Sequence, residues 1–310
     1  MNHRILRHPF TCLILALALI SFFSFIFQLL ELFVGSFMRN SVLPRELALR
    51  SMYWTTLLNA LEVTLALVWV GHTLEHRTPA ELGLPLRGAL RDGGWGALVG
   101  FALISTVVGL LALFGWYRLG AGPVETVGEE AREALLYAGG FVFVSCFEEV
   151  LFRGIGFRLL EEWLGSAAAL LISSVLFGLI HLNNPDSTWF AVLAIALEAG
   201  VLLGAAYMLT RSLWFVIGIH WAWNWTLGSL FGVNVSGMRV DGVLDGALVG
   251  PVFWTGGAFG AEAGGVALLL CTAVGVGLTW GAARRGQWRP FLHWRRQRRA
   301  AAAVALAPAA

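Results

Sequence analysis

The stretch FVFVSCFEEVLFRGIGF at 141–157 is apolar enough for a membrane helix, yet it carries Glu148, Glu149 and Arg153. Two further apolar stretches hold isolated polar side chains: His181 in LFGLIHL, and His220 with Asn224 in GIHWAWNW. Taken singly, a membrane histidine can cap a helix or bond a carbonyl, and an asparagine can bond a neighbouring helix. Taken together, a carboxylate, two imidazoles and an amide are what is needed to hold and activate one water, with or without a metal. Ionisable groups inside a membrane are rare and are functional candidates by default.

Helical spacing separates the roles of the charges. Arg153 follows Glu149 by four residues, so the two share a face in the orientation that favours an ion pair. Glu148 is rotated about 100° away and gains no cation from its own helix. A desolvated carboxylate of that kind suits a general base or a ligand. His220 and Asn224, also four apart, project from one helix face. If a hairpin turns near Gly165, Glu148 and His181 both lie about 24 Å from the turn. His220 lies about 14 Å from its own turn near Arg211. The difference of about 10 Å closes if the first hairpin extends beyond the membrane, and the polar residues Arg158 to Glu162 fit such an extension.

The elements that position these residues follow from composition. The chain has 310 residues, 58% hydrophobic and 13% charged, with a mean hydropathy of +0.74. This is the profile of an all-α polytopic membrane protein. With about 20 apolar residues per span, about eight candidates emerge: 10–36, 53–71, 93–116, 134–160, 166–182, 189–209, 212–231 and 263–282. The expected fold is a bundle of about eight transmembrane helices around an intramembrane polar cavity. Its organisation reads as an N-terminal hairpin (1–74), a core (75–231), a Gly-rich connection with the last span (232–283), and a basic then Ala-rich tail (284–310). The net charge of +2 gives no reason to expect nucleic acid. Cys12, Cys146 and Cys271 lie in apolar runs without metal or pairing patterns and read as inert thiols.

Topology is read from arginine placement. Arg4 and Arg7 precede the first span, and Arg284, Arg285, Arg289, Arg295, Arg296, Arg298 and Arg299 follow the last. Both termini are therefore expected in the cytoplasm, with Arg77, Arg87 and Arg91 on an inside loop and Glu125, Glu129 and Glu130 on an outside one. Arg39, Arg45 and Arg50 oppose this in the first outside loop. The first apolar run reads as an uncleaved span, because the weak Ala16-x-Ala18 site lies inside it. Three more acids stand in spans: Glu31, read as interfacial, and Glu62 and Glu198, deeper and without an assigned role.

Three motifs now coincide. EEVLFR (148–153), FGLIH (177–181) and HWAWN (220–224) resemble the Glu-Glu-x-x-x-Arg, Phe-x-x-x-His and His-x-x-x-Asn motifs of the CAAX protease and bacteriocin-processing (CPBP, or Abi) family, in the family's order. ELGLP at 81–85 resembles the lead-in of bacterial members, so the likeness covers roughly 75–231. The resemblance implies an eight-helix intramembrane endopeptidase of the type II CAAX prenyl endopeptidase kind. Glu148 would be its general base, His181, His220 and Asn224 would orient water or stabilise the oxyanion, and Glu149 and Arg153 would support the helix. Metal dependence stays open. No His-Glu-x-x-His occurs, but His181, His220 and Glu148 could ligate one zinc ion. The implied substrate is a membrane-embedded or lipidated peptide, with membrane lipid as the other partner. The implied location is a bacterial cytoplasmic membrane. Two other classes compete: a non-catalytic adaptor or immunity protein on the same fold, and a proton-coupled transporter, which would account for Glu62 and Glu198 but lacks an inverted repeat. Trp221 and Trp225 flank the third-motif face and lean towards a substrate cleft.

Overall fold

The computed structural model describes residues 3–38, 44–120, 127–240 and 242–292. The side chains of Arg4, Glu31, Arg45, Arg50, Glu129 and Glu130, together with Arg39, Glu125 and the tail arginines 295–299, lie outside the described set. Twelve α-helices are described: α1 (His3–Leu6), α2 (Pro9–Met38), α3 (Pro44–Thr73), α4 (Ala89–Leu113), α5 (Val127–Glu149), α6 (Arg158–Leu164), α7 (Ser166–Ile180), α8 (Trp189–Ile195), α9 (Val201–Thr210), α10 (Leu213–Trp225), α11 (Val252–Thr255) and α12 (Gly265–Arg284). A single antiparallel ribbon pairs β1 (Tyr117–Leu119) with β2 (Gly246–Leu248).

Among the described residues, seven helical segments are long and apolar enough to cross a membrane: Pro9–Leu30, Tyr53–Thr73, Ala89–Leu113, Arg132–Leu164, Ser166–Asn183, Trp189–Thr210 and Gly265–Arg284. In lipid every backbone polar group must be satisfied within the chain, which helices achieve and loops do not. The protein is an all-α integral membrane protein. The eighth expected span, 212–231, is helical as α10 and a π turn over Thr226–Leu230, but it falls short of the other seven in apolar character. Its tryptophans, His220 and Asn224 lower its hydropathy, and most of its residues are buried against protein. It is an interior helix, as is Trp189–Thr210, which is 72% buried, whereas Pro9–Leu30 is 17% buried and lies at the lipid face.

Close approach of α4 and α10 sets the position of the third motif. Gly96 and Gly100 are four apart on α4, and a Cβ on either would collide with the Phe215 or Ile219 carbonyl of α10. Small residues let membrane helices pack backbone to backbone in this way. The turn between α6 and α7 is at Gly165, at φ +97°, as the hairpin spacing required.

The α5–α6 helix does extend beyond a bilayer's needs: its 33 residues from Arg132 to Leu164 span about 50 Å. The extension is not an exposed polar surface, however. Arg158 is 3% and Glu161 0% exposed. Arg158 makes a bidentate pair with Glu75, at 2.6 and 2.9 Å. Arg211 from the α9–α10 turn reaches Glu161 at 2.6 Å. Ser166 Oγ also donates to Glu161, and the Arg289 N–H donates to Ser166. Five separate chain segments are thus tied together at this end of the bundle by charges that find partners instead of water.

Candidate active site

Glu148 and Glu149 are the last residues of α5, where the helix passes into a π turn over Val150–Phe157. Two other π turns follow at Ala196–Gly200 and Thr226–Leu230, the first carrying Glu198 and the second beginning two residues after Asn224. Such turns widen a helix locally and occur often at functional sites.

The expected Glu149–Arg153 pair is present, with Arg153 Nη1 donating to Glu149 Oε1 at 2.8 Å. Both side chains are enclosed, at 0% and 1% exposure. Arg153 Nη2 donates to the Ala199 carbonyl at 3.0 Å, which fixes the π turn after α5 against the segment that carries Glu198. Glu149 has a second task that spacing along one helix did not reveal: its Oε1 is 2.8 Å from His220 Nδ1. His220 Nε2 in turn lies 3.9 Å from Glu148 Oε2. One imidazole therefore stands between the two adjacent glutamates. Glu148 Oε2 and Glu149 Oε2 are buried without a hydrogen-bond partner.

His181 caps α7, and its Nδ1 lies 2.8 Å from the Phe177 carbonyl. A carbonyl only accepts, so Nδ1 carries the proton. His220 Nδ1, held against the Glu149 carboxylate, carries one by the same reasoning. With a single proton each, both imidazoles present a bare Nε2, an acceptor. Phe177 organises this cluster: Arg153 stacks on its ring at 4.4 Å, and the rings of His181 and His220 stand 5.1 and 6.1 Å away. The phenylalanine of FGLIH was legible as a motif letter but not as this hub.

His181, His220 and Asn224 line one cavity of about 30 Å³, together with Phe177, Trp223, Ser236 and two further carboxyls, Glu198 and Glu262. That volume suits a single water. Glu198, for which the sequence offered no role, thus belongs to this cavity. Glu262 and Ser236 come from the Gly-rich connection and were not foreseen. Glu262 was readable in principle, as one charge within AFGAEAGGVALLL at the foot of a span. Glu62 is elsewhere: 2% exposed, it accepts from Ser24 at 2.7 Å and borders a separate cavity of about 230 Å³ against α2 and α3. Among the described residues, no three His, Cys, Asp or Glu side chains converge as a metal-binding set.

Trp221 and Trp225 do not line the cavity. They stack on each other at 6.0 Å, and their indole N–H groups donate to the carbonyls of Ala138 and Ala134. Their physical role is to lash α10 to α5, because an indole N–H inside a membrane needs an acceptor. Trp223, on the opposite face, is the tryptophan at the cavity.

Comparison with known families decides what this constellation resembles. Residues 130–226 match the family model described as Rce1-like: Type II CAAX prenyl endopeptidase Rce1-like. This match agrees with the family that the three motifs resemble. The Rce1-like segment contains Glu148, Glu149, Arg153, His181, Glu198, His220 and Asn224, and it ends before Ser236 and Glu262. No curated protein and no solved structure matches the chain.

Proposed function

We propose that the protein is an intramembrane endopeptidase of the CAAX protease kind, hydrolysing peptide bonds of membrane-embedded or lipidated substrates with Glu148 as the base. The observation that carries this reading is the placement of His220, with Nδ1 at Glu149 and Nε2 3.9 Å from Glu148. Arg153 and His220 both engage Glu149, so that carboxylate is occupied. Each glutamate keeps one unpartnered oxygen, but only Glu149 has its other oxygen committed to both Arg153 and His220, which leaves Glu148 for chemistry. A water about 2.8 Å from both Glu148 Oε2 and His220 Nε2 sits beside the pair, not between them.

In the proposed reaction Glu148 takes a proton from that water, and the oxygen attacks the peptide carbonyl. Asn224, facing the same cavity, offers amide N–H groups to the developing oxyanion. Apolar helices around the site exclude bulk solvent, which strengthens each of these interactions. No step is routed through a metal. A bacterial cytoplasmic membrane with both termini inside is part of this proposal, resting on the arginine distribution.

The test is proteolysis by purified protein in lipid, on a panel of membrane and lipidated peptides, with Glu148→Ala and His181→Ala beside the wild type. Cleavage is expected in the wild type and a loss of at least about 100-fold in each variant. Cleavage that persists in both variants refutes the site. A chelator arm with zinc add-back belongs in the same run: loss and recovery of cleavage would overturn the metal-free route.

A further inference from the structure

Two carboxyls line the cavity that His181, His220 and Asn224 share, and the proposed reaction has not used them. Glu198 lies on the π turn at Ala196–Gly200, and Glu262 lies just before α12. Each is 2% exposed. Glu262 Oε1 accepts from the Ser236 N–H and hydroxyl at 2.5 and 2.6 Å. Its Oε2 has only the Trp223 indole, at a long 3.4 Å. Glu198 accepts from the Cys271 thiol, a weak donor. Among the described residues, no arginine or lysine lines this cavity.

Two carboxyls desolvated against one cavity oppose each other's ionisation, which favours keeping a proton on the pair. Burial acts in the same direction on Glu262, holding its carboxyl above the ordinary glutamate value against the pull of Ser236 and His181. Among the described residues, the other polar side chains lining the cavity are two imidazoles, the Asn224 amide and the Ser236 hydroxyl. His181 and His220 both have Nδ1 committed to an acceptor, so with a single proton each shows an acceptor Nε2 there. The Asn224 amide does not release protons at working pH. Peptide hydrolysis needs an acid as well as a base, because an amine leaves poorly without one.

Resting on the endopeptidase reading above, we propose that Glu262, paired with Glu198, is the proton donor to the leaving amine. Water gives one proton to Glu148 and bonds through oxygen to the carbonyl carbon. The C–N bond breaks, its electron pair stays on nitrogen, and nitrogen takes the proton of Glu262. The proton on Glu148 then returns through water to the carboxyl pair, so nothing beyond water is consumed. The titratable groups sharing the cavity with Glu262 are Glu198, His181 and His220, with Cys271 against Glu198; Glu148 and Glu149 meet His220, and Arg153 meets Glu149.

The experiment uses the full chain in lipid and a peptide that the wild type cleaves, alongside the same peptide with a thioester at the scissile bond. A thiol has an ordinary pKa of about 8.5 and leaves unprotonated. For Glu262→Gln, cleavage of the amide should fall at least about 100-fold, the thioester-to-amide rate ratio should rise at least about 30-fold, and the alkaline limb of the amide pH profile should vanish. Glu198→Gln removes the proton-sharing partner and should move that limb to lower pH. Ser236→Ala, which loosens Glu262 but keeps its carboxyl, should retain both the limb and the ratio. Equal losses on amide and thioester, or a Ser236→Ala ratio like that of Glu262→Gln, would reduce Glu262 to a structural tie and overturn the proposal. Should Glu262→Gln fail to fold, an unshifted limb in Glu198→Gln overturns it alone. Full amide cleavage by Glu262→Gln with Glu148→Ala inactive refutes this inference and leaves the endopeptidase standing, whereas a wild type inert on every peptide refutes both.

Discussion

Replacing Arg153 by methionine tests the reasoning most directly, because it separates a buried carboxylate from its guanidinium partner. Glu149 and Arg153 are 0% and 1% exposed, so water cannot re-solvate the abandoned carboxylate. The change removes the 2.8 Å bond to Glu149, the 3.0 Å bond to the Ala199 carbonyl and the contact over Phe177. Breaking one partner of a buried pair costs about 3–5 kcal/mol. The cation–π share is contained in that figure and not added, since contacts of one network are not independent. The decisive comparison is with the double variant Arg153→Met plus Glu149→Gln. Its neutral amide leaves no stranded charge, and about 2 kcal/mol or more should return. Equilibrium unfolding in mixed detergent micelles, followed by tryptophan fluorescence, measures the full cycle. A double variant no more stable than the single one, or a single variant costing under about 1 kcal/mol, would refute the account of Glu149 as an enclosed, charge-neutralised support.

Other expectations follow from separate parts of the molecule. Phenylalanine at Trp221 or Trp225 removes one indole hydrogen bond between α10 and α5 and should cost about 1 kcal/mol. Because neither ring lines the cavity, cleavage by these variants should stay within about threefold of wild type, and a larger loss would restore a cleft role. Leucine at Gly100 would drive a side chain into the Ile219 carbonyl; destabilisation of about 1–3 kcal/mol or more is expected, with loss of cleavage because His220 is the next residue on α10. Burial raises the folded-state pKa of Glu262 above 4.5, so its contribution to stability is full below the unfolded value and lost as pH rises through the folded one. The melting temperature of Glu262→Gln should therefore gain on wild type as pH rises above about 4.5, and a constant difference would contradict the assignment.

The membrane class, most spans, the Gly165 turn and the Glu149–Arg153 pair were legible in the sequence because each depends on local rules: apolar length, a left-handed turn residue, and a spacing of four on one helix. The three motifs were legible because each lies within six consecutive residues. Contacts between distant segments were not. Nothing in the spacing of 148, 149 and 220 tells that His220 stands between both glutamates; the close packing of α4 against α10 and the lash of Trp221 and Trp225 to α5 put it there. The tryptophans themselves misled, since which face of α10 meets the cavity depends on helix rotation, and 3.6-residue periodicity leaves that free. Glu198 was visible as an intruder without a purpose, and Glu262 was passed over inside a Gly-rich connection. Only the tertiary fold, which brings the end of α7, the Ala196–Gly200 turn, α10 and the segment before α12 around one water-sized space, joins these two carboxyls to His181, His220 and Asn224. Local chemistry can be read along a chain, but a shared cavity is a property of surfaces that meet.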